Sequence, residues 1–302
     1  MVKDKRVVFL GVKQPGEAGL RTLVEKGICV AAVITGRGAE NKLVVAVARK
    51  YGIPVFQNPP LGTMRFIRKI RLLNASAALN FSYPEIFKES FINLFPYGCI
   101  NFHPAILPRY RGRYPTVWPI LYSDKVAGYT MHYIDKGIDT GDIIDIAKIK
   151  IRLEDTGYSL YNKLVRLVPL LLKRHLPAIV TRIVKAIPQR RTKKAYFSQL
   201  PGSGEINWAV SAERAQRFIR ALYHPRFVSA FTLRHGKKIE ILKASLSRRQ
   251  KRCTEHKPGE LFFWGGSVFA ACSDGYLRIE RIRIGNKELA KKETLGYLKY
   301  LQ

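Results

Sequence analysis

The sequence predicts an α/β protein of two domains, in which a parallel sheet covered by helices precedes a small β-barrel. The length of 302 residues suits two domains of ordinary size. In the first half of the chain, continuous apolar runs alternate with helical patterns, as is typical of buried parallel strands. In the last third, short strand patterns alternate with turns, which favours a small barrel.

The elements of the first domain follow one another in a βαβα order. Apolar, β-branched runs predict strands at residues 7–11, 28–35, 52–56, 77–81, 127–133 and 143–151. Helical patterns end near Lys26 or span residues 42–51, 63–73 and 157–187, the last with a break or kink near Pro169 and Pro177. This order favours a sheet with helices on both faces.

Glycines open the turn and the helix after the first strand. Gly11, Gly16 and Gly19 do not form a complete GxGxxG motif, so a dinucleotide cofactor is poorly supported. They either allow the backbone to approach a ligand closely or only form a tight turn. Gly11 is therefore kept as a candidate substrate-binding residue.

A segment rich in charge, proline and glycine separates the two domains. We place the first domain at residues 1–187, the linker at 188–204 and the second domain at 205–302. Ser211 is the expected N-cap of a helix over residues 211–222. The strands predicted beyond it are residues 230–233, 239–244, 261–263, 268–272 and 277–284.

The residues that carry chemistry lie where an apolar strand meets a proline-rich loop, NFHPAILPRYRG at residues 101–112. Alternate residues of a strand share a face, so Asn101 and His103 point the same way at the strand end, where open α/β sheets bind ligands. A histidine at a strand end is usually structural. Here each proline restricts its own φ and the residue before it, and a structural histidine has no need of so rigid a loop.

A dense group of carboxylates follows in IDKGIDTGD, residues 134–142. In a chain with 53 basic and only 22 acidic residues, this concentration indicates a function. Amide, imidazole and carboxylate groups together can hold a carbonyl, transfer a proton and stabilise the resulting imidazolium, which predicts acyl-transfer chemistry. His132, just before this loop, is interpreted as structural, and Asp135 and Asp142 as carboxylates that order the loop.

Both motifs resemble those of the folate-dependent formyltransferases. The family patterns are Asn-x-His-Pro/Gly-x-Leu-Leu-Pro-x-Tyr-Arg-Gly and Asp-x-Gly-x-Asp-Thr/Ala-Gly, here residues 101–112 and 135–141, with Ile106 in place of a common leucine. The resemblance covers nearly the whole chain. It implies a Rossmann-like catalytic domain followed by an OB-like domain, as in methionyl-tRNA formyltransferases and some sugar formyltransferases.

The resemblance also implies transfer of a formyl group from 10-formyltetrahydrofolate to a primary amine, with Asn101, His103 and Asp139 as the catalytic residues. Asn101 would donate to the formyl oxygen, and His103 would either donate to it or shuttle a proton to the departing folate nitrogen. Asp139 would accept a proton from the amine and favour imidazolium at His103. Folate would be bound by Phe81, Ser82, Tyr83, Ile86, Ile138, Thr140 and Gly141. Arg111 and Arg113 either contact a substrate phosphate or are simply solvated.

Two features point to different acceptors. Methionyl-tRNA formyltransferases carry a long basic insertion after the second strand, where this chain has only residues 36–41, which favours an amino-sugar nucleotide linked to UDP or dTDP. The net charge of +31 favours tRNA, because phosphate neutralisation is the main source of tRNA affinity. A non-catalytic RNA-binding protein on the same fold is a third hypothesis, and the intact catalytic residues argue against it.

Several other classes find no support in the sequence. The four cysteines are dispersed without a CxxC pair, so we expect neither a zinc site nor any other metal. The N-terminus enters an apolar strand without a secretory signal, and no apolar run reaches about 18 residues. We therefore expect a cytoplasmic protein without a membrane partner. The oligomeric state is not predicted.

Overall fold

The computed structural model describes residues 6–190, 196–225, 229–247, 256–290 and 292–300. Residues 191–195 of the predicted linker lie outside them. The chain divides into two compact units. One contains the described residues up to Pro115 with Val126–Lys150 and Asn162–Phe197, and the other contains Thr116–Lys125, Ile151–Tyr161 and the described residues from Ser198 onward. Within these ranges, no helix is long and apolar enough to cross a membrane.

The first unit is built on a seven-stranded sheet. The strands of the whole unit, in chain order, are β1 (Arg6–Gly11), β2 (Cys29–Thr35), β3 (Val55–Gln57), β4 (Ala77–Phe81), β5 (Cys99–His103), β6 (Arg111–Gly112), β7 (Val126–Tyr133), β8 (Ile143–Lys150) and β9 (Tyr196–Phe197). The sheet order is β3-β2-β1-β4-β5-β7-β8, and β6 pairs separately with β9. The first five strands in this order are parallel, which confirms the predicted α/β sheet, whereas β7 runs antiparallel to both β5 and β8.

The helices, in chain order, are α1 (Lys13–Glu25), α2 (Lys42–Lys50), α3 (Met64–Arg71), α4 (Glu89–Ile92), α5 (Val117–Leu121), α6 (Gly157–Val165), α7 (Leu167–Ile179), α8 (Ala212–Leu222) and α9 (Lys292–Tyr300). The expected cap is confirmed: the Ser211 hydroxyl accepts a hydrogen bond from the backbone of Arg214 at 3.3 Å.

The predicted helix over residues 157–187 is wrong in its extent. It is two helices that meet at Arg166, and the second ends at Ile179. Pro169 lies in the first turn of α7, where its missing N–H leaves no helical hydrogen bond unmade, so it does not break the helix. Residues 180–182 form a turn, and the chain beyond it does not continue the helix because Ile187 exchanges backbone hydrogen bonds with Ile143 instead.

The core of the first unit contains a stack of three buried phenylalanines from adjacent strands. The Phe81 ring lies between Phe9, at a centroid distance of 5.1 Å, and Phe102, at 4.3 Å. Helix α1 packs closely on these strands through glycines. A Cβ on Gly16 would lie 2.8 Å from the carbonyl carbon of Gly11, and one on Gly19 would lie 2.9 Å from the Phe81 ring. These glycines thus allow the helix to pack closely on the sheet.

The second unit contains an antiparallel sheet of six described strands: β10 (Phe231–Arg234), β11 (Lys237–Leu246), β12 (Leu261–Trp264), β13 (Ser267–Ala271), β14 (Tyr276–Ile284) and β15 (Lys287–Ala290). Their order is β10-β11-β14-β13-β12, and β15 also pairs with β14. Helix α8 packs against β11 and β14. The predicted small β domain is confirmed, although β15 was not predicted.

The phenylalanine stack yields a prediction about stability. Phe9→Ala should lower the free energy of unfolding by about 3–5 kcal/mol, because it removes a fully buried ring and leaves a cavity beside Phe81. Urea unfolding followed by near-UV circular dichroism measures the change. The matched control is Leu72→Ala at an 81% exposed position, which should shift the value by no more than about 0.5 kcal/mol. Equal effects of the two substitutions would contradict the packing described here.

Candidate active site

Strand register brings four polar side chains together at the end of β5. Asn101 and His103 lie on the same face of that strand and are 9% and 5% exposed. Asn80 of β4 is the partner of Asn101 on one side, and His132 of β7 is its partner on the other. All four side chains are buried, so their hydrogen-bonding groups must be satisfied by one another or by nearby backbone.

Asp139, from the loop between β7 and β8, lies among these side chains. Its Oδ1 accepts a hydrogen bond from Asn101 Nδ2 at 3.0 Å, and its Oδ2 accepts one from the backbone N–H of Gly112 at 2.9 Å. His103 Nδ1 is 3.5 Å from Oδ2, and His132 Nε2 is 3.5 Å from Oδ1. The structure therefore brings the three predicted catalytic residues into one cluster and adds a second imidazole to it.

The electrostatics of the cluster favour an ionised carboxylate at Asp139 and lower the pKa of His103. Burial by itself raises the pKa of Asp139, but His103, His132 and the Gly112 N–H together hold that pKa well below its usual range. Burial also lowers the pKa of His103, and the nearby charge of Asp139 only partly opposes this effect. Burial therefore opposes protonation of His103, whereas the carboxylate of Asp139 stabilises the protonated ring.

The backbone partners of the two imidazoles fix opposite tautomers. His103 Nε2 lies 2.9 Å from the carbonyl oxygen of Tyr110, which can only accept, so Nε2 carries the proton and the electron pair of Nδ1 faces Asp139. His132 Nδ1 lies 2.7 Å from the carbonyl oxygen of Tyr133, so its Nε2 accepts from Asn101 Nδ2 at 3.0 Å.

The Asn101 amide is held on every side. Its oxygen accepts from Asn80 Nδ2 at 3.1 Å, and its nitrogen donates to both Asp139 and His132. The Asn80 oxygen in turn accepts from the backbone N–H of Tyr83 at 3.1 Å. The orientation of the Asn101 amide is therefore fixed, and one of its N–H groups can reach a substrate oxygen only by exchanging or sharing one of these partners.

The Thr130 hydroxyl of β7 binds the proline-rich loop after β5 at two points. Thr130 Oγ1 donates to the carbonyl of Ala105 at 2.5 Å and accepts from the N–H of Leu107 at 3.1 Å. Tyr110 then adopts a φ of +61°, which turns its carbonyl towards His103. Gly112, with a φ of +85°, points its N–H at Asp139. The loop thus supplies backbone partners to two of the side chains predicted to be catalytic.

The residues predicted to bind folate lie in two segments of the first unit, before α4 and between β7 and β8. In the first segment, the Phe81 side chain belongs to the core, so only its backbone is accessible to a ligand. Tyr83 is also buried, Ser82 has a φ of +60° on an exposed turn, and Ile86 is 72% exposed.

In the second segment, Asp135 accepts hydrogen bonds from the Thr140 hydroxyl at 2.5 Å and from the Gly137 N–H at 3.0 Å, which orders the loop. Ile138 is exposed. Gly141 packs so tightly that a Cβ there would lie 2.0 Å from the carbonyl oxygen of Tyr133.

The three candidate substrate-binding residues have different surroundings. Gly11 is buried against Gly16 in the packing of α1. The Arg111 guanidinium donates to Gln189 Oε1, from Nε at 3.1 Å and from Nη2 at 2.6 Å. Arg113 is exposed, and its backbone N–H donates to the carbonyl of Phe197 at 2.8 Å.

The sequence interpretation missed several members of the site. The sequence favours a structural role for His132, which lies in a strand ahead of the acidic loop, whereas the structure brings it into the cluster. His132 lies opposite Asn101 because β7 pairs antiparallel with β5, and the residues of β7 themselves do not indicate this register. Asn80 and Thr130 lie within apolar strand patterns, and Gln189 lies in the predicted linker. Among the described residues, no group of His, Cys, Asp and Glu side chains could hold a metal ion.

Comparison with known proteins gives the family. Residues 5–175 match the family model described as formyl transferase, and residues 201–297 match the model described as its C-terminal domain. A methionyl-tRNA formyltransferase from Lachnospira eligens is 31% identical over 295 residues, which covers 94% of this chain and 93% of that protein. The bifunctional polymyxin resistance protein ArnA from Wigglesworthia glossinidia brevipalpis is 31% identical over 249 residues, covering 80% of this chain and 38% of that one.

Solved structures share the fold. An N-formyltransferase from Helicobacter canadensis, crystallised with folinic acid and dTDP-3-aminofucose, has a TM-score of 0.71 at 21% identity and covers 92% of this chain and 99% of its own. HypX from Aquifex aeolicus, in complex with tetrahydrofolic acid, has a TM-score of 0.68 at 16% identity and covers 97% of this chain and 47% of its own. At these identities, the similarity establishes the fold alone.

The pKa of His103 predicts how stability depends on pH. Since the folded pKa lies below the unfolded value of about 6.5, the folded protein binds fewer protons, and acidification through this range should destabilise it. His103→Gln can still donate to the Tyr110 carbonyl but does not titrate. Urea unfolding between about pH 8 and about pH 5 should therefore show a weaker loss of stability in the variant than in the wild type. Identical pH slopes would show that His103 does not contribute.

Proposed function

The chain belongs to the folate-dependent formyltransferase family, and we propose that it transfers a formyl group from 10-formyltetrahydrofolate to the primary amine of an amino-sugar nucleotide. The observation that carries the chemistry is the ionised carboxylate of Asp139 between the Asn101 amide and the His103 imidazole. Such a set can orient a carbonyl, accept a proton and stabilise the cation that forms.

10-Formyltetrahydrofolate supplies a formyl carbon already attached to a nitrogen leaving group. For transfer to occur, the amine must lose a proton, the folate nitrogen must gain one, and the negative charge that develops on the formyl oxygen must be stabilised. His103 offers a proton carrier for the first two requirements and Asn101 a donor for the third, while Asp139 offers the charge that stabilises the protonated carrier.

His103 is suited to carry the proton. In its neutral form, Nε2 is occupied by the Tyr110 carbonyl and Nδ1 presents an electron pair on the side of Asp139. A proton received at Nδ1 gives an imidazolium that lies between the Asp139 carboxylate and that carbonyl. Its positive charge is therefore balanced from both sides. Between the two roles considered for His103, this geometry favours the proton shuttle over donation to the oxygen.

Asn101 is suited to hold the formyl oxygen because its amide cannot rotate. Asn80 fixes the amide oxygen, so both N–H groups keep their directions while one of them exchanges Asp139 or His132 for the substrate. A preoriented donor of this kind costs no reorganisation during the reaction. When Asp139 loses this N–H, it keeps the hydrogen bond from Gly112.

The residues present fit a folate. An ion pair of 2.6 Å between Lys136 and Glu89 joins the loop before Asp139 to the helix that follows the residue 81–86 segment. Each of these two segments exposes an isoleucine, Ile86 and Ile138, as an apolar surface for a flat ring. Exposed loop backbone beside them offers hydrogen bonds to pterin edges.

The connection between β2 and α2 supports an amino-sugar nucleotide as the acceptor. It consists of residues 36–41 and is tied down at both ends. Gln57 Nε2 donates to the carbonyl of Gly36 at 3.2 Å, and Asn41 Oδ1 accepts from the backbone N–H of Lys13 at 3.0 Å. This compact turn stands where methionyl-tRNA formyltransferases carry a long basic insertion, so a contact surface expected for tRNA is missing from this place.

Two observations favour methionyl-tRNA as a second candidate. Relatives bearing that name are 31% and 32% identical over more than nine tenths of both chains. The net charge of +31 would also attract a polyanion much more strongly than a nucleoside diphosphate.

The acceptor can be identified by comparing formylation rates of aminosugar nucleotides and methionyl-tRNA. Purified protein with 10-formyltetrahydrofolate should formylate at least one member of a panel of UDP- and dTDP-linked aminosugars, and mass spectrometry would show the gain of a formyl group. Methionyl-tRNA should be formylated much more slowly at equal concentration. If only methionyl-tRNA reacts, with a steep loss of rate as salt is raised, the second candidate is correct.

Substitution of the catalytic residues separates an enzyme from an RNA-binding protein on the same fold. His103→Ala and Asp139→Asn should each lower kcat by about 10²–10⁴-fold, because the proton carrier or its stabilising charge is lost. The matched control is Glu25→Gln, an exposed carboxylate at the end of α1, which should keep kcat within about twofold. Circular dichroism checks that each variant is folded. Unchanged turnover in folded His103→Ala would sink the proposed mechanism.

A further inference from the structure

Gln189 lies outside both regions that match a family model, yet it contacts the loop of the catalytic carboxylate. The matched regions are residues 5–175 and 201–297. Gln189 Nε2 donates to the carbonyl of Asp139 at 3.0 Å and to that of Gly141 at 2.6 Å. Its Oε1 accepts both hydrogen bonds from the Arg111 guanidinium.

These contacts complete a ring of hydrogen bonds around Asp139. Arg111 directly precedes Gly112, whose N–H binds the Asp139 carboxylate at 2.9 Å. Gln189 binds the backbone carbonyl of the same Asp139 and, through its other end, the Arg111 side chain. Asp139 is thus linked to strand β6 twice, through its carboxylate directly and through its backbone carbonyl by way of Gln189.

The backbone on both sides of Gln189 is anchored to the first unit. The Tyr133 hydroxyl donates to the carbonyl of Val184 at 2.9 Å and accepts from its N–H at 2.7 Å. Ile187 and Ile143 exchange two backbone hydrogen bonds of 2.8 Å. On the other side of residues 191–195, which are not described, β9 pairs in parallel with β6. The hydrogen bonds of Val184 and Ile187 therefore place Gln189 beside the Asp139 loop.

The chemistry of the position suits glutamine better than a charged residue. The side chain must accept from a guanidinium at one atom and donate to two carbonyl oxygens at another. A glutamine amide does both, whereas a carboxylate can only accept and a lysine or arginine can only donate. The contact with Arg111 is also charge-assisted, which makes it stronger than a neutral pair.

We propose that Gln189 is a positioning residue for formyl transfer, which keeps the carboxylate of Asp139 beside His103. The inference rests on the proposed function, since it assigns Gln189 to the same catalytic cluster. Asp139 itself has a φ of +53°, a backbone conformation that needs support in a residue with a side chain. Without Gln189, that support is lost, and the carboxylate moves away from the imidazole.

Such a displacement slows the reaction. A shift of about 1 Å in a catalytic group can cost about 100-fold in rate. We therefore expect kcat to fall by about 10- to 100-fold in Gln189→Met. Gln189→Glu keeps the acceptor for Arg111 and loses the donor to the two carbonyls. The kcat of Gln189→Glu should therefore fall to a similar degree.

The experiment compares these two variants with Gln199→Met, which changes an exposed glutamine of the same connecting segment. Steady-state kinetics with the best acceptor gives kcat and KM. NMR titration of ¹³C-labelled histidine, with His103 assigned by its loss in His103→Gln, gives the midpoint for that ring. In Gln189→Met the midpoint should move to lower pH, because the stabilising charge of Asp139 is farther away. Gln199→Met should match the wild type in every respect.

Each result decides the question. If kcat and the His103 midpoint in Gln189→Met both equal those of the wild type, the proposal is wrong. If Gln189→Glu alone keeps the wild-type kcat, the contact with Arg111 is sufficient and the hydrogen bonds to the Asp139 loop are not the reason for the effect. If the wild type transfers no formyl group to any acceptor, the proposed function fails. The His103 midpoint in Gln189→Met then still decides whether Gln189 positions Asp139.

Discussion

The rest of the proposed catalytic cluster depends on a largely buried negative charge, the carboxylate of Asp139. A charge largely removed from water is tolerated only when it is paired and hydrogen-bonded, and here the partners come from β5 with the loop after it and from β7. Asn101 is supplied by β5, the Gly112 N–H by the rigid loop after it, and His132 by the antiparallel strand β7. The same arrangement that stabilises this charge gives His103 its counter-ion, so stability and chemistry depend on one geometry.

Sequence was sufficient wherever the signal was local. The motif over residues 101–112 predicted a rigid loop and two side chains on one strand face, and the acidic loop predicted a nearby carboxylate, because both features lie within a few consecutive residues. His132 could not be predicted in the same way. Its place opposite Asn101 follows from an antiparallel pairing between distant strands. The end of α7 was also misplaced, because pairing of Ile187 with Ile143 overrides the local helical pattern.

The acceptor is recognised by the protein surface, and the sequence is least informative about surface contacts. A short turn at residues 36–41 and an overall charge of +31 favour different ligands, and both are compatible with the same catalytic cluster. This independence has a physical basis. The chemistry requires a few buried groups at fixed distances, whereas recognition of a sugar nucleotide or a tRNA depends on exposed loops and long-range charge. Relatives with different acceptors can therefore share the site unchanged.

The pairing of β9 with β6 has a consequence for where the catalytic module of this chain ends. Tyr196 and Phe197 pair with Arg111 and Gly112, although they come after the region that matches the catalytic family model. Deleting everything after Ile187 would remove this edge pairing together with the side chain of Gln189. The Gly112 N–H would then be presented by an unsupported loop. An autonomous catalytic fragment of this protein must therefore extend at least through Phe197.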